Sequence, residues 1–429
     1  MIAGRPIEQP LFHLLASQPP AVFVVPGSML FDIDAELFTA LERGDAAAVA
    51  ELRTLAPAPP VIDGNLLPVT ALSLNVAQAC NLACTYCYAD EGKFGGSAQL
   101  MSEQTAIRGI DHLIAGAPGS RVMVGFIGGE SFLNREVVHA AVAYARQAAG
   151  RAGVAVRFAL TTNATLLRTE DLRLLRDNAF AVTVSIDGGP SQNRHRATRR
   201  GTDSTEAVLS GIAPLLADPG QARIAARATV TRDDLDIAGR VASLFDAGFH
   251  EAGVSPARTS PRSDLVLRPD DWPVLLANMI EAAECELARI GRGAIPRFSN
   301  FWVGLRAIHR GSARPLPCGS VASYLSMDVK GTFHSCHRTF NTPGFRMGSL
   351  DDGLDTAARQ LFVARASVDR QEPCQSCWAR YLCGGGCHAE VAAAGRSGCD
   401  FIRGWLEYCL GAYRKVADCY PELLLRGDA

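Results

Sequence analysis

Short apolar segments alternate with amphipathic segments along the chain from residue 69 to about residue 290. Apolar runs bounded by turn residues are typical of buried β-strands, whereas apolar residues repeating every three to four positions indicate helices. Six apolar runs predict strands, at 71–78, 122–127, 154–162, 181–187, 223–230 and 250–256. Successive βα units predict a parallel sheet covered by helices, with ligands at the carboxyl ends of the strands. We therefore expect the α/β class and a partial (β/α)6 barrel of the TIM type.

The helices between these strands begin at residues that favour helix starts. Ser102, Asn134 and Thr169 each stand at the start of an amphipathic pattern. An oxygen on such a side chain can satisfy the unpaired backbone donors of the first helical turn. The segment 269–290 continues the alternation and predicts a sixth helix.

Both ends of the chain differ from this repeating region. Near the N-terminus, 21–34 predicts two strands around a turn, and 35–55 predicts a helix, a turn and a second helix. A Pro-rich stretch at 56–68 marks a boundary. After residue 315, short segments rich in Gly and Cys dominate until 400–420 predicts a final helix. The predicted domains are therefore an α+β segment, an α/β core and a Cys-rich C-terminal domain, at 1–65, 66–310 and 311–429.

Composition and charge exclude several classes of protein. The 429-residue chain is 48% hydrophobic and 20% charged, and its formal net charge is −2. A nearly neutral chain gives no reason to expect nucleic acid or an anionic membrane as partner. No apolar run is long enough to span a bilayer, and the N-terminus is a poor signal peptide, so we expect a cytoplasmic protein. Ten of the 13 cysteines lie within 80–87 and 318–399, which in a reducing compartment indicates metal ligation.

Three cysteines follow the first predicted strand at once. Cys80, Cys84 and Cys87 stand in the segment CNLACTYCYA, spaced CX3CX2C. A loop of this size can hold three irons of one cubane cluster and leave the fourth iron open to a small chelating molecule. The alternatives are a structural zinc site or an incomplete disulfide set. Zinc would require a fourth Cys or His nearby, and none lies within about twenty residues.

The segment resembles the motif of the radical S-adenosylmethionine (SAM) superfamily, with Tyr86 as its aromatic residue. The resemblance implies that SAM chelates the open iron of a [4Fe–4S] cluster. It also implies that an electron from the cluster cleaves SAM to a 5′-deoxyadenosyl radical, which abstracts a hydrogen atom from the substrate. In such enzymes the cofactor carries the chemistry and the protein positions it.

Residues at the ends of the later strands extend the resemblance. The second, third and fourth strands end in the segments FIGGES, TTNAT and VSIDGG, and NRHRATRRG follows the fourth strand. In the first of these segments, Ser131 stands where the family usually has Pro. By resemblance, SAM is contacted by Tyr86, Gly128, Gly129, Glu130, Asn163, Ser185 and Arg196. Asp187 falls where similar enzymes hold SAM and substrate, and is expected to be catalytic. Arg196 is the best match to the arginine that pairs with the SAM carboxylate.

A second group of cysteines has the spacing CX12GX4C, a gap, CX2CX5CX3C, a gap and C. This pattern resembles the SPASM extension of radical SAM enzymes. The resemblance implies two auxiliary [4Fe–4S] clusters, and so three clusters in the whole chain. The distal cluster would be held by Cys374, Cys377, Cys383 and Cys399, and the proximal one by Cys318, Cys336 and Cys387.

Two ligand questions stay open at this stage. Ser312 stands where similar enzymes often carry an eighth Cys, which predicts an open or unusually ligated iron on the proximal cluster. Cys409 is a rival to Cys399 as closing ligand and a rival for the proximal vacancy. His337 follows Cys336 directly, where related enzymes can have an acidic base. An imidazole has a suitable pKa for that role, and the alternative is a histidine that only lies next to the ligands or at the protein surface.

The SPASM resemblance implies a ribosomally made peptide or small protein as substrate, and a reductase with flavodoxin or ferredoxin as electron donor. The motif segment most resembles maturases of quinohemoprotein amine dehydrogenase, so an intramolecular thioether is the expected product. Carbon–carbon (cyclophane) cross-linking and formylglycine formation are the alternatives within the class. A non-catalytic iron–sulfur electron carrier is the alternative outside it. Residues 1–65 are expected to be either a reduced leader-binding module or a cap on the barrel.

Overall fold

The computed structural model describes residues 10–58, 66–119 and 121–425. The chain separates into two compact units, each combining distant parts of the sequence. The larger unit comprises Leu66–Phe298 and Gly319–Phe362, and the smaller unit comprises Met1–Asn65, Ser299–Cys318 and Val363–Ala429. These boundaries differ from those of the three predicted domains, and that three-part division stays a prediction.

A small antiparallel sheet and two helices form the N-terminal part of the smaller unit. They are β1 (Phe12–Leu15), β2 (Ala21–Val24), β3 (Met29–Asp32), α1 (Ala35–Glu42) and α2 (Ala46–Leu55). β2 is the central strand, and all of its residues are buried. Asp34 and Asp45 cap the two helices, because their carboxylates accept backbone N–H groups of the first turn. The predicted strand pair and helix pair are confirmed, and β1 is an additional strand.

The larger unit is built on one sheet with helices between its strands. Its strands are β4 (Ala71–Gln78), β5 (Gln99–Leu100), β6 (Arg121–Gly128), β7 (Ala155–Thr162), β8 (Phe180–Ser185), β9 (Arg223–Val230), β10 (Glu251–Pro256), β11 (Tyr324–Met327), β12 (Thr332–His334), β13 (Arg346–Ser349) and β14 (Gly353–Leu354). Its first helices are α3 (Glu103–Gly116), α4 (Arg135–Ala152), α5 (Thr169–Asp177), α6 (Thr205–Ala217), α7 (Ala238–Asp246) and α8 (Asp271–Ile290). The remaining helices of the chain are α9 (Ser299–His309), α10 (Thr356–Ala366), α11 (Arg380–Cys383), α12 (His388–Ala394), α13 (Cys399–Cys419) and α14 (Pro421–Leu425).

The strand order is β10-β9-β8-β7-β6-β4-β11-β12-β13-β14, and β5 pairs with β4. Neighbouring strands from β10 to β4 are all parallel, and β11 joins β4 in parallel as well. The six predicted strands correspond to β4, β6, β7, β8, β9 and β10, each followed by a helix. The predicted α/β class and the six successive βα units are confirmed. In the part of the chain that the structure describes, no helix combines the length and apolarity needed to cross a membrane.

The two faces of the sheet differ, as the strand β9 illustrates. Its residues alternate between buried and more exposed positions along its whole length. Apolar Ile224 and Ala226 are buried, whereas Arg227 is exposed. Because successive side chains of a strand point to opposite sides, the buried set lies on one face of β9 and the polar set on the other. The polar set faces the cavity described below.

The predicted helix starts have different outcomes. Ser102 caps α3, since its hydroxyl accepts the N–H of Thr105 at 3.1 Å. Asn134 precedes α4 without capping it, because its side-chain amide instead donates to Val76 O and Met101 O. Thr169 is the first residue of α5. The final helix predicted at 400–420 is confirmed as α13.

Candidate active site

A cavity of ≈ 400 Å³ opens at the carboxyl ends of the parallel strands in the larger unit. The loop that carries the first three cysteines forms one part of its wall, and the ends of β6 to β10 form another. Cys80, Cys84 and Cys87 all line it. The structure thus brings the predicted cysteine motif to the edge of the sheet where ligands of such folds bind.

The cysteine loop is held in place by the segment 195–199. Backbone N–H groups of Ala83 and Thr85 donate to the carbonyls of Ala197 and His195 at 2.9 and 3.0 Å. The guanidinium of Arg199 donates to Cys80 O at 3.0 Å. The loop is therefore anchored before any ligand binds, which favours a defined cluster site.

The three thiols are partly enclosed and act on one another. Burial raises the pKa of the Cys80 thiol to about 12, although the N–H of Leu82 donates to its sulfur at 3.4 Å. Burial also raises the pKa of Cys84, and the nearby Arg196 opposes this. Cys84 and Cys87 both raise the pKa of Cys80 through their own charges, so the three sulfurs lie close together. Positively charged iron would offset this repulsion and favour the thiolates.

Gly128 and Gly129 line the cavity, and they are needed for close backbone packing. A Cβ on Gly129 would lie 2.2 Å from Ala79 O, and one on Gly128 would lie 2.4 Å from Ala77 O. Both distances are far below van der Waals contact. The glycines therefore let the end of β6 pack closely against Ala79, the residue directly before Cys80, and this contact supports the cysteine loop.

Glu130 is fully buried and lies behind the cavity wall, where it is not among the lining residues. Its carboxylate accepts the N–H of Asn163 at 2.7 Å and the hydroxyl of Thr162 at 2.8 Å. Burial raises the pKa of Glu130, and these hydrogen bonds oppose that shift. Glu130 thus positions Asn163, which does line the cavity and whose amide donates to Asn81 Oδ1 at 2.9 Å.

Tyr86, Asp187 and Arg196 form a buried polar network. The Tyr86 hydroxyl donates to Asp187 Oδ2 at 2.6 Å and accepts from Arg196 Nη1 at 2.7 Å. Thr229 N donates to Asp187 Oδ1 at 2.8 Å. Burial raises the pKa of Asp187, and Arg196 opposes this. Tyr86 and Arg196 line the cavity, whereas Asp187 is 1% exposed and is not among the lining residues. It accepts the hydrogen bond that orients Tyr86, and its catalytic role stays a prediction.

Ser185 lines the cavity with hydroxyls from the neighbouring strands. The others are Thr161, Thr162, Thr183, Thr229 and Ser255 on the strands, and Thr259 after the end of β10. Two arginines that the motifs did not indicate, Arg227 and Arg258, lie among these hydroxyls. The polar alternation of β9 could have indicated Arg227, since an arginine in the middle of a parallel strand is unusual in a sheet buried on both faces.

His337 lies on the wall of the cavity with Tyr88 and Arg338. The rings of His337 and Tyr88 are 6.4 Å apart, and the guanidinium of Arg338 lies 4.3 Å from the Tyr88 ring centroid. Burial, assisted by Arg338, lowers the pKa of His337 to about 4. The imidazole is therefore neutral near pH 7, and its catalytic role stays a prediction.

The cysteines predicted to hold the distal cluster all belong to the smaller unit. Burial raises the pKa of Cys374 to about 11, and Cys383, Cys377 and Cys399 raise it further through their charges. Backbone N–H groups of Gly385 and Gly386, both at positive φ, donate to the Cys383 sulfur. Four thiols that affect one another, with N–H donors turned toward sulfur, fit the ligand set of an iron–sulfur cluster.

Cys409 has a different environment from Cys399. It is fully buried on α13, and a Cβ added to Gly304 of α9 would lie 3.1 Å from its sulfur. Burial raises the pKa of Cys409 well above its usual value. This packing supports Cys399 as the closing ligand and Cys409 as a core residue.

The predicted proximal set is divided between the units. Cys318 and Cys387 belong to the smaller unit, and Cys336 to the larger. Sequence reasoning did not single out His388, whose Nε2 lies 3.9 Å from the Cys318 sulfur. The sequence could have indicated His388 as a neighbour of the proximal set, because it directly follows Cys387. The ligand set of the proximal cluster stays a prediction.

No three His, Cys, Asp or Glu side chains within residues 10–58, 66–119 and 121–425 converge on the position of a single metal ion. An iron–sulfur cubane distributes its thiolates over separate irons. A cluster site therefore does not require such a convergence.

Comparison with known proteins places these features in a wider context. The sequence model of the radical SAM superfamily matches residues 74–216. A serine-type anaerobic sulfatase-maturating enzyme of Klebsiella aerogenes is 26% identical over 373 residues, which cover 83% of this chain and 86% of that protein. An enzyme of the same name from Bacteroides thetaiotaomicron is 24% identical over 385 residues, covering 80% of this chain and 88% of the relative.

Solved structures share the fold at lower sequence identity. Native anSMEcpe with bound AdoMet has a TM-score of 0.69 at 18% identity, and the similarity covers 82% of this chain and 100% of that one. SuiB of Streptococcus suis, bound to S-adenosylmethionine, has a TM-score of 0.56 at 12% identity and covers 91% of this chain and 97% of its own. Together with the three-cysteine loop at the strand ends, the sequence match shows that residues 74–216 form a radical SAM domain, and the solved structures show the same fold.

Proposed function

We propose that this chain is a radical SAM maturase that modifies a ribosomally made peptide or small protein. The observation that carries the proposal is the cysteine loop at the rim of a cavity whose lining includes hydroxyl groups and arginines; the segment 195–199 anchors this loop. The Klebsiella and Bacteroides relatives, which match most of the chain, are maturases by name, and this supports a peptide or protein substrate. SuiB has been solved with its precursor peptide SuiA, at a TM-score of 0.55 and 11% identity.

The residues of the cavity fit a SAM-binding cluster. Cys80, Cys84 and Cys87 would hold the cluster. Arg196 is almost fully buried at the cavity wall, and its Nε has no hydrogen-bond partner within the described residues. An orphaned guanidinium N–H of this kind suits a ligand carboxylate. When bound, the cluster and SAM supply the electron and the 5′-deoxyadenosyl group that removes a hydrogen atom from the substrate.

The chain's own residues orient these groups and admit the substrate. Tyr86 and Asp187 hold Arg196 in place through the buried network, and Glu130 fixes Asn163 at the wall. Tyr88 is 43% exposed beside Arg338 and His337, so an aromatic and cationic surface is available to a peptide. The electrons would come from a reductase through flavodoxin or ferredoxin, and the auxiliary clusters would accept electrons from the substrate.

An intramolecular thioether is the product that we favour. Ser312 lies at the position where similar enzymes often have an additional Cys. An iron left open there could bind a substrate thiolate. Formation of the thioether would join sulfur to carbon and remove two hydrogen atoms. The 5′-deoxyadenosyl radical would take one from carbon, and the other would leave as a proton from the thiol and an electron that an auxiliary cluster would accept.

Formylglycine formation is the second candidate, because the Klebsiella and Bacteroides relatives are serine-type sulfatase-maturating enzymes. Oxidation of a serine to an aldehyde also removes a pair of hydrogen atoms, so mass alone does not distinguish the products. Reaction of the modified peptide with hydroxylamine would identify the aldehyde, whereas a thioether would not react.

The first test is cleavage of SAM by the reconstituted protein. We expect dithionite and SAM to give 5′-deoxyadenosine with the unmodified chain, and expect Cys84→Ala to abolish this product while auxiliary iron stays bound. Cys285→Ala is the matched control, since Cys285 is exposed on α8 outside both cysteine groups. Absence of 5′-deoxyadenosine from the unmodified chain would favour an electron carrier instead.

A further inference from the structure

The charges that line the cavity are unbalanced. Apart from the three cysteines, whose thiolates the bound iron would neutralise, the described lining residues include four arginines, at 196, 227, 258 and 338, and a single carboxylate, Glu91. Glu91 is itself paired with Arg199 at 3.1 Å. A cavity with surplus positive charge and low-dielectric walls attracts anions, so the ligand of this cavity is expected to carry negative charge.

Three of the four arginines have other contacts in the structure. Arg196 donates to Tyr86. Arg258 lies 4.8 Å from the ring centroid of Trp272, and Arg338 lies over Tyr88. Arg227 differs from them, because within the described residues its guanidinium has neither a hydrogen bond nor an ion pair.

The position of Arg227 directs its side chain into the cavity. In the sheet register it lies beside Ser185 of β8 and beside Gly253 of β10. Gly253 has no side chain to fill the space next to it, and Thr229 and Ser255 continue the polar face toward the cavity mouth. The enclosure lowers the pKa of Arg227, and Glu251 on β10 opposes this without reaching ion-pair distance. A guanidinium that lines the cavity without a partner is available to pair with a carboxylate of a ligand.

We propose that Arg227 binds a carboxylate of the substrate peptide, which makes an acidic residue near the modified position part of the recognised sequence. A guanidinium and a carboxylate pair through two parallel hydrogen bonds, and the surrounding hydroxyls can accept or donate the remaining ones. The inference rests on the proposed function, because it assigns a substrate group to the same cavity.

The carboxylate of SAM is the other source of the same chemistry. Arg196 is the better partner for it, because its guanidinium is hydrogen-bonded at 2.7 Å to Tyr86, which lies between Cys84 and Cys87 in the cysteine loop. By contrast, the charged group that affects the pKa of Arg227 is Glu251 on β10, which is not part of the cysteine loop. The substrate carboxylate is therefore assigned to Arg227.

The test uses the reconstituted full chain with SAM bound and two blocked peptides, acetyl-Ala-Ala-Asp-Ala-Ala-amide and its Asn counterpart. We expect the unmodified chain to bind the Asp peptide about tenfold more tightly or better, as charge-assisted hydrogen bonds allow. Arg227→Gln should remove this preference and leave the SAM affinity unchanged, and Arg227→Lys should restore part of it. Arg223→Gln is the matched control, because Arg223 is on the same strand and outside the cavity lining.

Each outcome has a separate meaning. Equal binding of both peptides, or binding of neither, by the unmodified chain would overturn the assignment. Loss of SAM affinity in Arg227→Gln with an unchanged peptide preference would assign the arginine to SAM and would also overturn it. Formation of 5′-deoxyadenosine in the same preparations is measured separately, so a failure of the proposed function would be recognised independently.

Discussion

At the scale of single residues, the hydroxyl group of Tyr86 explains why the aromatic residue of the cysteine motif is a tyrosine in this chain. Tyr86 connects a buried carboxylate with a buried guanidinium, and both of its hydrogen bonds are short. Asp187 keeps one further donor, Thr229 N, whereas the Arg196 side chain has no other hydrogen-bond acceptor among the described residues. Tyr86 therefore stabilises the site in addition to lining it.

We expect Tyr86→Phe to lower the free energy of unfolding of the apoprotein by about 1–3 kcal/mol, because buried polar partners would lose a hydrogen bond. Tyr144→Phe is the control, since the exposed Tyr144 hydroxyl donates to Asp111 at 2.6 Å, and its loss should cost less than about 0.5 kcal/mol. Urea unfolding followed by circular dichroism measures both. Equal losses would show that the network contributes no more than a surface contact.

At the scale of secondary-structure elements, the end of β6 positions the start of the cysteine loop through backbone hydrogen bonds. Gly129 N donates to Ala77 O, and Glu130 N donates to Ala79 O, both at 2.9 Å. The two segments are so close that a methyl group on Gly129 would overlap with the carbonyl of Ala79. A side chain here would displace the residue that precedes Cys80.

Gly129→Ala should therefore lower the rate of 5′-deoxyadenosine formation about a hundredfold, since small displacements of reacting groups have effects of this size. Gly150→Ala provides the opposite case, because Gly150 lies within α4 with nothing within 4 Å of an added Cβ. That change should stabilise the protein by about 0.5–1 kcal/mol and leave SAM cleavage unchanged. Thermal unfolding and product assays on both variants test the pair, and a fully active Gly129→Ala variant would contradict the explanation.

At the scale of the whole molecule, cysteine groups occur in both compact units. The motif loop belongs to the larger unit, and the four cysteines of the predicted distal set belong to the smaller one. If the two groups hold separate clusters, each can be removed without the other. The iron content of variants tests this directly.

Cys377→Ala should lower the iron content by about four atoms per chain, the content of one cubane, and should retain SAM cleavage in the absence of peptide. The control is Cys419→Ala, since Cys419 is exposed at the end of α13 in the same unit. Iron analysis by colorimetry and the 5′-deoxyadenosine assay give the two readouts. An unchanged iron content in Cys377→Ala would contradict the assignment of the distal cluster.

Much of the fold could be predicted because the signals are local. The strands predicted at 71–78 and 223–230 coincide with β4 and β9, and Ser102 caps α3 as expected. Hydrophobic periodicity and capping act within a few residues, so they can be read from the chain directly. β1 was missed because only one of its four residues is buried, which weakens the pattern.

The sequence by itself determined the type and order of the elements and the cysteine motifs, because periodicity and spacing are properties of neighbouring residues. Only the tertiary structure decided that Asp187 and Glu130 lie behind the cavity wall and that Arg227 faces the cavity without a partner. It also joined β11 to β4 across more than two hundred residues of sequence. The physical reason is that burial, desolvation and pairing depend on side chains that the sheet brings together from distant segments, and no local pattern records those partners.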